Sequence, residues 1–207
     1  MAKFRSMIYF SGRAGNIVGR KGKNGEYVVA VHQPHVNQPN TQAQLEARAK
    51  LKTFTQGLKA FSSWAKKMCK ESGLTGWQAL IKWNCNEAVS GTYPNYEIDY
   101  SKCTLANGSL ELPFNAQASV DSNTLSVTWA DNSGMGTALA TDKVCIVILD
   151  KNKNLSISDY SVADRSQRTG SVTIPTAWNS DGIEVWMAMI SEKGDISKSA
   201  YLGEFTV

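Results

Sequence analysis

The chain has 207 residues, 42% of them hydrophobic and 19% charged, an ordinary globular composition that sets aside a disordered or collagen-like polymer. That length fits one large domain or two modest ones. The net charge of +4 hides a polarity: residues 1–72 carry 13 Lys/Arg against 3 Asp/Glu, a net of +10, and residues 73–207 carry 9 against 15, a net of −6. Such asymmetry points either to nucleic acid on the basic half or to basic and acidic surfaces of neighbouring copies meeting.

The first apolar run, residues 7–10, is too short for a secretory core and is broken by Ser11-Gly12-Arg13. No later stretch reaches transmembrane length, so synthesis in the cytoplasm, no signal peptide and no membrane insertion are expected. Gly12, Gly15, Gly19, Gly22 and Gly25 then cut residues 7–31 into short strands. Asn24-Gly25 predicts a type I′ hairpin turn into a strand over residues 26–31. Residues 32–40, with Pro34 and Pro39, read as an extended arm.

Thr41 with Gln44 has the form of a capping box, and Gly73 of a stop signal, so one helix is predicted between them. Leu51, Phe54, Leu58, Phe61, Ala65 and Met68 alternate spacings of three and four, a packing seam that meets either the same chain or another subunit. Lys52, Lys59 and Lys66 recur every seven residues beside it, joined by Lys67 and Lys70. Such a run reads as a solvated face or as a contact for an anionic partner. Thr75 with Gln78 predicts a second helix carrying Trp77, Leu80, Ile81, Asn84, Cys85 and Ala88 on one face and ending at Gly91, so that the two form a helical hairpin. Residues 93–112 read as a Tyr-rich connector with a strand near residues 102–105.

After Pro113 the apolar period becomes two. Strands are predicted near residues 116–120, 125–129, 144–149, 155–160, 171–174, 183–190 and 199–207. The fold class is therefore α+β: a glycine-rich β-hairpin and arm (1–40), a basic helical hairpin (41–92), a connector (93–112) and an antiparallel β-sandwich (113–207). Trp129 on the second of these strands, the Asn132-Ser133-Gly134 loop and the alternating Val185-Trp186-Met187-Ala188-Met189 resemble fibronectin type III domains, with Trp186 where that family carries tyrosine. The resemblance implies a fibronectin III/Ig-like sandwich with Trp129 and Trp186 as candidate core residues.

Gly15-Asn16-Ile17-Val18-Gly19, Tyr27-Val28-Val29, Asn40-Thr41-x-Ala43-Gln44, Arg48, Phe54 and Gly91-Thr92-Tyr93-Pro94-x-Tyr96-Glu97-Ile98-Asp99-Tyr100 resemble a full-length family of Bacteroidetes genomes and of the phages or mobile elements that infect them. That family has no assigned activity to carry over.

No residue set marks catalysis. Gly22-Lys23 is followed by Asn24 and preceded at the required spacing by Ile17, so it is no phosphate-binding P-loop. His32 and His35 lack neighbouring carboxylates or thiols that would complete a metal site, and Asp159 and Asp164 are unmarked among loop acids. Cys69, Cys85, Cys103 and Cys145, with no Cys-x-x-Cys pair, read as buried free thiols. The expectation is a non-enzymatic, cofactor-free structural or assembly protein, a multi-copy component of a phage particle or similar virion-like assembly. It would self-associate through its basic and acidic halves. The alternative is sequence-nonspecific binding of DNA or RNA by Arg13, Arg20, Lys21, Lys23, Lys52, Lys59, Lys66, Lys67 and Lys70, with Tyr9, Phe10 and Tyr27 available for stacking. The third is an adhesion or carbohydrate-binding module.

Overall fold

Glycines at close spacing leave strands too short to enclose a core, and the N-terminal segment folds accordingly. The computed structural model describes residues 10–22, 24–33, 41–178 and 182–207, and the chain divides into two compact units, Met1–Thr41 and Gln42–Val207. In the first, β1 (Gly12–Ala14), β2 (Ile17–Lys21) and β3 (Tyr27–Val31) form an antiparallel sheet in that order. Gly19 is its one buried residue among those described; a Cβ there would come within 2.5 Å of the Phe10 carbonyl oxygen.

The predicted two-residue turn is not formed. Lys21 and Tyr27 are the last paired residues of β2 and β3, and the Gly22 N–H donates to the Glu26 carbonyl at 2.7 Å. The Gly25 N–H donates to the Gly22 carbonyl at 3.0 Å, so Asn24 and Gly25 are not together the two central residues of a type I′ turn. The extended arm, from Pro34 to Asn40, lies outside the described residues.

In the second unit the predicted single helix is three pieces: α1 (Gln42–Gly57), a 3-10 turn (Leu58–Phe61) and α2 (Ser62–Met68). Gly57 sits against the side chain of Ile98, where a Cβ would come within 2.3 Å of Cδ1. The tighter turn that follows keeps Leu58 and Phe61, three residues apart, on one side. Cys69 is extended (φ −100°, ψ 96°) and donates its thiol to the Leu105 carbonyl, which ends the helix before Gly73.

The capping box of α3 (Gly76–Asn84) forms as predicted between Thr75 and Gln78. Asn84, not Gly91, ends that helix; its side chain is buried and bonded to the Leu80 carbonyl and to Thr104 backbone. Gly91, at φ 84°, instead lies in a hairpin of β4 (Val89–Thr92) and β5 (Asn95–Ile98). The Tyr-rich segment is thus a hairpin rather than a connector. The strand predicted near residues 102–105 is replaced by a 3-10 turn (Tyr100–Lys102) and an irregular stretch burying Cys103 and Leu105.

The seven later strands form where the period of two places them. They are β6 (Phe114–Asp121), β7 (Thr124–Ala130), β8 (Lys143–Asp150), β9 (Leu155–Asp164), β10 (Thr169–Thr173), β11 (Gly182–Ile190) and β12 (Ala200–Thr206). They make two antiparallel sheets, ordered β10-β7-β6 and β12-β11-β8-β9. The fold is therefore a mixture of helices and antiparallel sheets.

Two apolar cores share the four-stranded sheet. Leu125, Val127, Trp129, Val144, Ile146, Ile148, Val185 and Met187 fill the space between the sheets. Alternate residues of the same strands, Cys145, Val147, Leu149, Trp186 and Ala188, join Phe54, Leu58, Phe61, Trp64 and Met68 in a second core beneath the helices. This explains why β8 and β11 read as nearly continuous apolar runs: both faces are covered.

Candidate interaction surfaces

The basic residues singled out by the sequence do not form one array. Arg13, Arg20 and Lys21 are exposed on the N-terminal sheet. The pairing of Arg13 with Val18 puts Arg13 and Arg20 on one face and Lys21 on the other. Lys23 lies outside the described residues. Lys52, Lys59 and Lys66 are all exposed and have no ion-pair partner among the described residues, but they fall on α1, the 3-10 turn and α2 in turn. A seven-residue repeat makes a straight stripe only on an uninterrupted helix. Lys67 and Lys70 are engaged: Lys67 Nζ lies 3.8 Å from the centroid of the Tyr160 ring, and Lys70 donates to the Gly194 carbonyl at 2.9 Å.

The apolar seam packs within the chain. Phe54, Leu58, Phe61, Ala65 and Met68 are buried in the core beneath the helices, where they meet the sheet as well as α3. Leu51 is the exception at 47% exposure. Along α1 the covered side runs through Lys50, Phe54 and Gly57, with Lys50 Nζ over the Tyr96 ring and Gly57 against Ile98, which turns Leu51 to solvent. Trp129 and Trp186 are both buried, Trp129 between the sheets and Trp186 on the helix side against Phe61, Tyr100 and Tyr201.

Residue types alone did not reveal the polar group under the loop between β7 and β8. Arg165, fully buried, donates from Nη2 to Asp142 Oδ2 at 2.9 Å, from Nη1 to Asn132 Oδ1 at 2.6 Å, and to the Glu111 carbonyl at 2.8 Å. Its own carbonyl accepts from Trp129 Nε1 at 2.7 Å. No sequence signal marked it: the strand predicted near residues 155–160 stops short of Arg165, whereas β9 runs on to Asp164. The candidate acids have local duties: Asp159 accepts from the Ser161 N–H, and Asp164 caps the turn after β9 with Gln167 and pairs with Lys143. His32 donates its backbone N–H to the Asn16 carbonyl, and His35 and Tyr9 lie outside the described residues.

Burial pushes the thiols of Cys69, Cys103 and Cys145 up to about 12, so they stay protonated near neutrality and are poor nucleophiles. Among the described residues no helix is long and apolar enough to cross a membrane.

A family sequence model matches residues 9–203. The chain belongs to DUF6266, a family of unknown function. No curated protein matches it. Among solved structures this DUF6266 chain is similar to the crystal structure of the FN5 domain of Drosophila Lar, at 18% identity and a TM-score of 0.33, over 48% of this chain and 98% of that one.

Proposed function

We propose that this DUF6266 chain is a non-enzymatic structural protein that self-associates as a multi-copy component of a phage particle or comparable assembly. One observation carries the reading: among the described residues the N-terminal sheet buries no side chain of its own. Its strands are exposed or half-buried throughout apart from Gly19, with Val31 at 72% and Ile17 at 41% exposure. A sheet of three short strands without a covered apolar face is not stable in water and needs another surface. The opposed charges of the two halves supply attraction between copies.

Within this reading residues 113–207 are a fibronectin III/Ig-like sandwich. Seven strands divided three and four, with a tryptophan of the second strand in the inter-sheet core, support that assignment. Light scattering coupled to size-exclusion chromatography at low salt tests the self-association. The reading requires a mass above that of one chain which falls on dilution; a monomer at every concentration would refute it.

The second reading, sequence-nonspecific nucleic-acid binding, draws on the exposed and unpaired Lys52, Lys59 and Lys66. Adding DNA in the same experiment distinguishes the two.

A further inference from the structure

The loop between β7 and β8 has properties that the fold alone does not require. Residues 132–141 contain no charged side chain, and two large apolar side chains stand out of them, Met135 at 53% and Leu139 at 55% exposure. The loop is braced rather than loose. The Met135 N–H donates to the Asn132 carbonyl, Gly134 and Ala138 N–H groups bond within the loop, and the Leu139 N–H donates to Asp142 Oδ2 at 2.8 Å. Asn132 and Asp142 are both held by buried Arg165, and Thr137 bonds the Ser109 carbonyl and the Glu111 N–H. An apolar pair fixed in this way loses little conformational entropy on docking, which is the property of an interface anchor. Two carboxylates border it: the Glu111 carboxylate lies against Gly136, and Asp131, with the Arg168 charge nearby, accepts from the Ser133 N–H at the loop's start.

The N-terminal sheet has the complementary character. Ile17 and Val31 are paired across β2 and β3, share one face and are exposed, and the exposed cation of β2 on that face is Lys21, whereas Arg13 and Arg20 lie on the other. We infer that the loop of one copy, through Met135 and Leu139, docks on the Ile17/Val31 face of the N-terminal sheet of a second copy, with Glu111 and Asp131 facing Lys21, which shares that face. This rests on the self-association reading above and names its two surfaces. Because they differ, the contact is head-to-tail, and repetition gives a ring or a filament rather than a closed two-fold dimer.

Light scattering on the full chain at low salt tests the pairing with two surface variants, Met135→Ser/Leu139→Ser and Ile17→Ser/Val31→Ser, each checked for an unchanged circular dichroism spectrum. Each alone weakens association by at least about tenfold, since each lacks an anchor. Mixed in equal amounts, they form a capped dimer of twice 22.6 kDa, because one brings an intact sheet and the other an intact loop. Glu111→Lys, which touches neither apolar surface, weakens the wild-type assembly and makes it less sensitive to salt. Variants that assemble like the wild type, or a mixture that stays monomeric, overturn the inference and leave self-association standing. A wild type that is monomeric throughout removes both.

Discussion

The Arg165 guanidinium and the Asp142 carboxylate form an ion pair at 2.9 Å with both side chains at or below 1% exposure. Removing one partner leaves the other charge in the protein interior. Arg165→Met is therefore expected to destabilise the chain by about 3–5 kcal/mol, whereas Arg165→Met with Asp142→Leu costs clearly less. Urea denaturation of the two variants gives the comparison; equal losses would mean that the pair is not what holds this region.

The shared sheet makes the strands dependent on the helices. A fragment of residues 112–207 would expose Cys145, Val147, Leu149, Trp186 and Ala188 to water, an apolar strip that folding alone cannot hide. Residues 42–207 are expected to melt cooperatively, and residues 112–207 to bind a hydrophobic dye or precipitate. Calorimetry on both fragments decides; a sharp, dye-free transition in the shorter one would establish an independent sandwich.

Trp129 supplies the corresponding test of the inter-sheet core. Trp129→Ala removes a buried ring and the donor to the Arg165 carbonyl, and a loss of about 3–5 kcal/mol is expected. A midpoint in urea unchanged from wild type would place Trp129 outside the core.

Alkaline pH probes the thiols. An unfolded cysteine ionises near 9.0, whereas burial makes Cys69, Cys103 and Cys145 hold their protons to about 12. Between those values the unfolded state binds fewer protons, so stability is full below pH 9 and falls as pH rises, by about 1.4 kcal/mol per unit for each thiol. Cys145→Ala should flatten that slope by roughly one third of the thiol contribution. Urea midpoints across pH 8–11 read the effect, and a slope unchanged by the substitution would contradict it.

Lys52→Gln, Lys59→Gln and Lys66→Gln together remove three exposed charges without touching buried Phe54, Leu58 or Phe61. Folding should be unaffected. If nucleic acid is the partner, the salt dependence of binding falls by about 0.7–0.9 log unit per lost phosphate contact. A triple variant that binds DNA with the wild-type salt slope excludes these lysines from such a contact.

The sequence was most legible where one periodicity ran undisturbed. All seven strands after Pro113 lie where alternation puts them, and the Thr75–Gln78 cap is local chemistry that needs no tertiary information. The errors fall where distant segments intervene. The break after Gly57 depends on Ile98, 41 positions away, and the early end at Met68 depends on Leu105. Leu51 matched a helical spacing, yet the hairpin of β4 and β5 covers a neighbouring stripe of α1, so spacing alone could not assign its side. The Arg165 group was hidden for the same reason: its partners Asn132 and Asp142 come from another loop.

The placement of Trp186 against Phe61 also has a consequence for biosynthesis. The helices leave the ribosome first, but the last strand that covers them, β11, comes about 130 residues later, at roughly 5–20 residues per second. For a period on the order of ten seconds α3 is the partner available to the apolar side of α1 and α2, and the sheet that completes its cover is unfinished. Nascent chains of this protein are therefore expected to keep part of that apolar side open to water until β8 and β11 have both been made.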